Sequence, residues 1–433
     1  MISAVDQSGY GSRSSHPNEI FWAIFDATLL TLIFMLSSDM LVQLRFVQSP
    51  MWLLCYAAMI LRIATVWPAF FQMLLRNWFV LLFPAICLAS ILWSVNKAAT
   101  LTSGLQLTMT MTMAMYLGWR YTLSVLIKVL IVVFSIGVWL SILHWATGIF
   151  PWPVYTRTGG LAGLFSSKGM LGIRALFAAT AIVALLMMQR HEVGPTLRTF
   201  AMIALLGNIF ALAVSLSMTS VLLTPVLVMA LLILCWHRVP STIFSAGLLT
   251  VIAAIALGPV IFVIAGINPI EAVLAGIGKS TSLTGRVYIW QVAVEVYREH
   301  PILGVGYQAF WQSPQFLNEQ LLTQDAGAVT SRSFHSFPLE ILVSAGWAAL
   351  LAMLVLLWVT VARLFAALRS TQSPAVAGAI TLILGCVLSS LTGTTLYRGH
   401  EIMIILLVAF AVTAGEDLHR MRNAQNARPK GTT

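Results

Sequence analysis

His335 stands in the stretch SRSFHSFPLE, with Arg332 three residues before it and Glu340 five after it. An imidazole at such a point can act as a general base or orient a hydroxyl. The plain alternative is an interfacial histidine with an ordinary hydrogen bond. Glu340 falls inside an apolar run, where a carboxylate is expensive unless it is paired or used; an ion pair with one of the arginines would explain it equally well. Arg286, in SLTGRVYIW, follows a Thr-Gly turn into a helix that carries Tyr288, Trp290, Val294 and Tyr297. A guanidinium in a first helical turn can meet a phosphate through two parallel hydrogen bonds, aided by the free N–H groups of the helix start. It can also simply rest among lipid headgroups, the aromatic spacing being that of an interfacial amphipathic helix.

A second polar cluster is TRTGGLAGLFSSKGMLGIRAL, residues 156–176, where glycine-rich backbone leads to Lys168 and then to Arg174 inside an apolar run. Arg174 either snorkels to the surface or faces a polar cavity. Arg398, His400 and Glu401, in LYRGHE, fall on the same side of the expected topology, as do the hydroxyls of SLSMTS (Ser215, Ser217, Thr219 and Ser220). Nucleotide and metalloprotease signatures are missing: there is no P-loop, no GxGxxG after a strand and no HExxH. No metal-ligand cluster is visible either, and carboxylates outside the apolar runs are too few for a two-carboxylate glycosidase site. No cofactor and no metal are therefore expected. A basic face with one well-placed histidine suits stabilisation of a departing phosphate.

The elements that must hold these residues are membrane spans. The chain of 433 residues is 59% hydrophobic and 9% charged, with a mean hydropathy of +0.91; a soluble domain carries about 25% charged residues. Apolar runs of about 18 residues or more recur along the sequence, each long enough to cross a bilayer. About twelve spans are expected, at roughly 20–40, 50–68, 78–95, 99–118, 122–146, 170–188, 198–217, 219–236, 242–266, 338–362, 375–393 and 401–416, with boundaries good to a few residues.

The net charge of +10 does not indicate nucleic acid, because the basic residues sit singly at helix ends and form no stripe with interleaved aromatics. They serve orientation instead. A cytoplasmic N-terminus places most short-loop arginines inside, following the positive-inside rule. The expected organisation is a cytoplasmic tail (1–19), nine spans (20–266), a long helical periplasmic loop (267–337), three spans (338–416) and a cytoplasmic tail (417–433). No cleavable signal peptide is apparent. The four cysteines lie in apolar runs without paired spacing and are expected to be packing residues.

TGRVYIW, REHPILGVGYQAFW and FHSFPLEILVSAGW together resemble the signature region of the O-antigen ligase/polymerase superfamily. GLFSSKGMLG and SLSMTS are similar to stretches of exopolysaccharide polymerases of the ExoQ type. The motifs cover about a third of the chain and agree in order and spacing. The resemblance implies an all-α, GT-C-like polytopic membrane glycosyltransferase, independent of metal and of nucleotide sugar. Its donor would be an oligosaccharide on undecaprenyl pyrophosphate, and its acceptor another lipid-linked glycan. Arg286 and Arg174 would hold the pyrophosphate, and His335 would activate the acceptor hydroxyl for inverting attack. Lys168, Arg332, Arg398, Tyr288, Trp290 and Glu340 are further substrate-binding candidates. Two positions depart from the family pattern: Ser336 and Gly169 stand where asparagines are usual.

The resulting expectation is a polymerase joining repeat units on the periplasmic face of a bacterial inner membrane. A chain-length regulator or export protein is an open further partner, and no nucleic acid is expected. A ligase that moves glycan onto lipid A-core is the near alternative. A transporter or flippase of lipid-linked sugars is the alternative of another class; it would need ionisable residues near the midplane of many spans, where Asp26, Asp39 and Arg62 are among the few candidates.

Overall fold

The computed structural model describes residues 17–156, 159–236, 286–317, 320, 333–391 and 393–427. Within them every extended regular element is a helix: α1 (Pro17–Ser37), α2 (Arg45–Thr65), α3 (Trp67–Arg76), α4 (Leu82–Ala89), α5 (Lys97–Arg120), α6 (Leu123–Thr147), α7 (Lys168–Met187), α8 (Pro195–Ser215), α9 (Met218–Trp236), α10 (Arg286–Glu299), α11 (Phe337–Thr371), α12 (Pro374–Ser390) and α13 (Ile402–Asn426). The protein is an all-α, multi-pass membrane protein.

The count of twelve spans is not reached. Among the described residues, seven helices are long and apolar enough to cross a membrane, or up to eight if the pair Trp67–Arg76 and Trp78–Leu92, bent by 83°, forms one span. α9 and α12 correspond to expected spans but are shorter apolar helices. α5 covers the expected 99–118 span, yet its serine, threonine and glutamine side chains lower its hydropathy below that of a simple span. The expected span at 242–266 lies outside the described residues.

The LTMTMTMAM stretch of α5 divides its labour by side chain. Thr108, Thr110 and Thr112 donate back to the carbonyls of Gly104, Gln106 and Thr108 at 2.7–2.8 Å. Met111, Met113 and Met115 are fully buried between helices. Hydroxyls satisfied within their own helix are compatible with an apolar environment.

α13 is the central post, packed against α5, α11 and α12, and from Ile402 to Ala414 all of it is buried. Its contact with α5 is a backbone contact: a Cβ on Gly118 would fall 2.3 Å from the Ala409 carbonyl oxygen. Small residues permit such approach between membrane helices. Cys55, Cys87 and Cys386 are buried packing residues, Cys235 is half-buried, and all four are free thiols.

α11 is broken at Gly346 (φ 71°, ψ −165°), and the PILGVG segment fills the break. Val305 and Gly306 donate to the carbonyls of Val343 and Ser344 at 2.8 Å, and Trp347 donates to the Ile302 carbonyl at 3.2 Å. Irregular backbone at such a place persists because protein groups satisfy it. The motif glycines allow the approach, since a Cβ on Gly304 would come 2.5 Å from the Val343 oxygen.

Toward the other end of the bundle, two charge clusters are closed. Asp26 accepts from Arg62 at 2.9 and 3.2 Å, from Arg120 at 2.9 Å and from the Tyr116 hydroxyl at 2.7 Å. Glu416 accepts from Arg76 at 2.7 and 3.0 Å and from the Asn77 amide at 3.2 Å. Asp26 and Arg62, two candidates for a transport path, are thus bound to each other. A desolvated carboxylate held by several donors is a structural device.

Candidate active site

At the opposite end, five elements bring charge together: the turn after α1, the starts of α7, α11 and α13, and the loop between α12 and α13. Arg174 lies in the second turn of α7, whose N-cap is Ser167. Its side chain is fully buried. Nε donates to the Ser38 carbonyl at 2.9 Å, and the guanidinium faces the Phe134 ring at 5.7 Å. Arg174 therefore does not snorkel.

The nearest carboxylate is Glu401, whose Oε2 is 3.6 Å from an Arg174 terminal nitrogen, an ion pair longer than a hydrogen bond. Both terminal nitrogens of Arg174, and Oε2 of Glu401, are buried without a hydrogen-bond partner among the described residues. Burial pushes the Glu401 carboxyl up from its ordinary range, against the opposing charges of Arg174 and Arg398. Buried donors normally find partners, so the two nitrogens mark this pair as a candidate for meeting a further acceptor.

The turn before α7 is anchored from α1. Asp39 (φ 73°) accepts the Ser166 backbone N–H at 2.9 Å and the Ser166 hydroxyl at 2.5 Å. Lys168 runs alongside Gly160, where a Cβ would come 2.9 Å from the lysine Cδ. SLSMTS meets the same region: Ser217 and Ser220 lie against Gly172, and Leu161 donates to the carbonyl of Val214, the residue just before the motif, at 3.0 Å. The position of Gly169 imposes nothing comparable, since a Cβ there would meet only Ser167 Oγ, at 3.7 Å.

His335 is half-buried and held in the left-handed region, φ 52°. Its two neighbours are pinned. The Phe334 N–H donates to Glu340 Oε1 at 2.6 Å, and the Trp290 indole N–H donates to the Phe334 carbonyl at 2.9 Å. Glu340, buried in the first turn of α11, donates its own N–H to the Ser336 carbonyl at 3.0 Å. Ser336 thus serves through its backbone and makes no side-chain cap. Glu340 and Trp290 act as positioning groups for the histidine turn. Tyr397, next to Arg398, bonds through its hydroxyl to Ser344, one turn after Glu340, which ties the loop carrying Arg398 and Glu401 to the start of α11.

His400 (φ 66°) is stacked on Trp52, with ring centroids 4.1 Å apart, and bonds to the Tyr56 hydroxyl. Burial pushes its imidazole down to about 4. A cavity of about 230 Å³ opens beside Arg398.

Among the described residues six non-glycine residues have positive φ, and four of them, Asp39, Gln308, His335 and His400, surround this region. Such strain collects at functional sites when surrounding structure over-determines it. Composition gives no warning of it.

The structure therefore joins Arg174, Arg398, Glu340, Trp290 and His335 into one region, with Lys168 at its edge. α10 does begin at Arg286 and packs on α11, burying Ile289, Val292, Ala293 and Val296. The side chains of Arg286 and Tyr288, and all of Arg332, lie outside the described residues. The contribution of Glu401 was legible only as a residue on the same side. Asp39 stood out in the sequence only as a candidate for a transport path, not as part of this site.

A family model for O-antigen ligase matches residues 200–354, the stretch that contains Arg286, His335 and Glu340. That match agrees with the resemblance carried by the motifs. The chain is also 27% identical over 292 residues to the "Exopolysaccharide production protein ExoQ" of Rhizobium meliloti (strain 1021). That similarity covers 66% of this chain and spans 63% of the relative's length.

Proposed function

We propose that the protein is a polysaccharide polymerase that joins undecaprenyl-pyrophosphate-linked repeat units, working at the periplasmic face of a bacterial inner membrane. The observation that carries this reading is Arg174: a wholly buried guanidinium with two terminal nitrogens lacking hydrogen-bond partners among the described residues. Planar paired donors of that kind match a phosphate oxygen pair.

In the proposed reaction, an acceptor hydroxyl oxygen attacks the anomeric carbon of the donor. The bond from that carbon to the pyrophosphate oxygen breaks, and undecaprenyl pyrophosphate leaves with the electron pair. His335 takes the hydroxyl proton. Arg174 and Arg286 offset the charge that develops on the leaving oxygen, and Lys168, Arg332 and Arg398 add to the positive field. Fixed donors in a water-poor site are worth more than the same donors in water. The proposal needs no metal in these steps and takes the site as GT-C-like.

The similarity to an exopolysaccharide production protein favours polymerase over transfer to lipid A-core. The closed pair of Asp26 and Arg62 weighs against a charged transport path.

The test is purified protein reconstituted with lipid-pyrophosphate-linked repeat units in EDTA. A ladder of longer lipid-linked chains is expected. A single transfer product appearing only with lipid A-core would mean a ligase. Movement of the lipid across vesicles without transfer would mean a transporter. Arg286→Ala and His335→Ala should each abolish the ladder in protein that still enters the membrane and elutes as a single folded species. A normal ladder from either would remove that residue from the site.

A further inference from the structure

The cavity beside Arg398 has a lining whose chemistry is unlike that of the charged cluster next to it. Ser103 and Gln106 come from α5, Gln308, Trp311 and Gln312 from the segment after PILGVG, and Arg398 from the loop before α13. Three carboxamides and a hydroxyl each offer donor and acceptor capacity. Among the described residues no carboxylate lines it, and Arg398 is the one charged group that does. An anion would find few cations here, and a prenyl chain would leave the amides unsatisfied. A sugar ring, with hydroxyls around its edge and an apolar face for an indole, matches both parts of the lining.

The wall is built rigidly. Tyr307 donates its N–H to Ser90 Oγ at 2.9 Å and its hydroxyl to the Tyr397 carbonyl at 2.7 Å, and it accepts from Thr100 at 3.0 Å. Gln308 is held at φ 59° while its N–H meets the Tyr397 hydroxyl at 3.3 Å. Asn96 donates to the Gln312 carbonyl at 2.7 Å. A strained, multiply anchored glutamine facing an open cavity is what pre-organised recognition requires. The volume, about 230 Å³, is below the roughly 300–1,000 Å³ of pockets that enclose drug-sized molecules. It suits one ring rather than an oligosaccharide.

We propose that this cavity is a saccharide subsite that seats one neutral sugar ring beside Arg398, through Gln106, Gln308 and Gln312 and the Trp311 face. The assignment of the ring to the protein's own glycan rests on the polymerase reading above. The binding itself does not.

The test uses free neutral hexoses and hexose disaccharides as probes, with the full chain in lipid nanodiscs and saturation-transfer NMR as the readout. The wild type should show transfer to at least one probe. Gln106→Leu should weaken that binding about tenfold, the loss of one well-made hydrogen bond. Gln312→Ala, at an exposed position on the rim, gives a second variant that keeps the fold.

No transfer to any probe, or equal transfer in the wild type and both variants, overturns the subsite. In the reconstituted reaction the same variants should raise KM for the saccharide acceptor about tenfold and change kcat much less. Glycan transfer by the wild type with unchanged KM in both variants would overturn the subsite and leave the polymerase standing. Variant-sensitive sugar binding without any glycan transfer would do the reverse.

Discussion

The Glu340 carboxylate accepts the Phe334 backbone N–H at 2.6 Å, tying the first turn of α11 to the residue before His335. An acidic residue in an apolar span thus acts on backbone, and its partner is the turn that presents the imidazole. Glu340→Gln keeps an acceptor oxygen and should retain most activity. Glu340→Ala should lower glycan transfer by about tenfold or more. It should also destabilise the protein by roughly 1–3 kcal/mol, the cost of an orphaned buried N–H. Thermal unfolding in detergent beside the transfer assay separates the two effects.

Arg174 and Glu401 should separate stability from function. Arg174→Gln alone leaves the half-buried Glu401 facing no cation from α7, at a cost of about 3 kcal/mol, the lower end for a broken buried pair. Adding Glu401→Gln should restore much of that stability without restoring product. A double variant that recovers both would make the pair purely structural.

The turn at His335 has a conformational consequence. His335→Gly suits φ 52° at least as well as histidine does, so it should melt near the wild-type temperature while making no polymer. A melting point far below wild type would mean that the imidazole also holds the fold.

Acid should weaken the fold through His400. Burial keeps its imidazole neutral down to about 4, whereas in the unfolded chain it takes up a proton below about 6.5. The stability it contributes is therefore complete above about pH 6.5 and is lost as pH falls toward 4. The loss is on the order of 3 kcal/mol. Glu401, pushed upward, works in the opposite sense and offsets part of it. His400→Phe, which can still stack on Trp52, should flatten the acid limb of a melting-temperature profile; an unchanged limb would assign the acid sensitivity elsewhere.

Gly346→Ala should not fold. Its Cβ would fall 1.8 Å from the Ile302 oxygen, at φ 71°. The loss should exceed about 3 kcal/mol, visible as aggregated protein on size exclusion.

What the sequence revealed follows from what sequence encodes. Polar residues stranded in apolar runs were visible, and Arg174, Glu340 and Arg398 do meet at one end of the bundle. The all-helical, multi-pass character was legible from the apolar runs, but seven helices among the described residues, or up to eight with the bent pair, are long and apolar enough to span, and twelve spans are not reached. The break in α11 was hidden because EILVSAGWAALL has the composition of an uninterrupted span. What ends the helix is the distant PILGVG segment, which supplies the donors for Val343 and Ser344. The left-handed turns at Asp39, Gln308 and His400 were hidden for a related reason, since only tertiary bonds hold them there. Trp290 read as an interfacial aromatic, and its indole N–H supports the histidine turn instead.

The position of α13 in the chain bears on biogenesis. It follows every other described helix in sequence, yet it is the post around which they pack, and Arg398 and Glu401 immediately precede it. During synthesis Arg174 enters the membrane long before the carboxylate that will face it. Until α13 threads into the bundle, α5 and α11 lack the helix they both pack against, and Arg174 lacks Glu401. The charged region is therefore completed by the helix that follows all the others described, and only once that helix has docked.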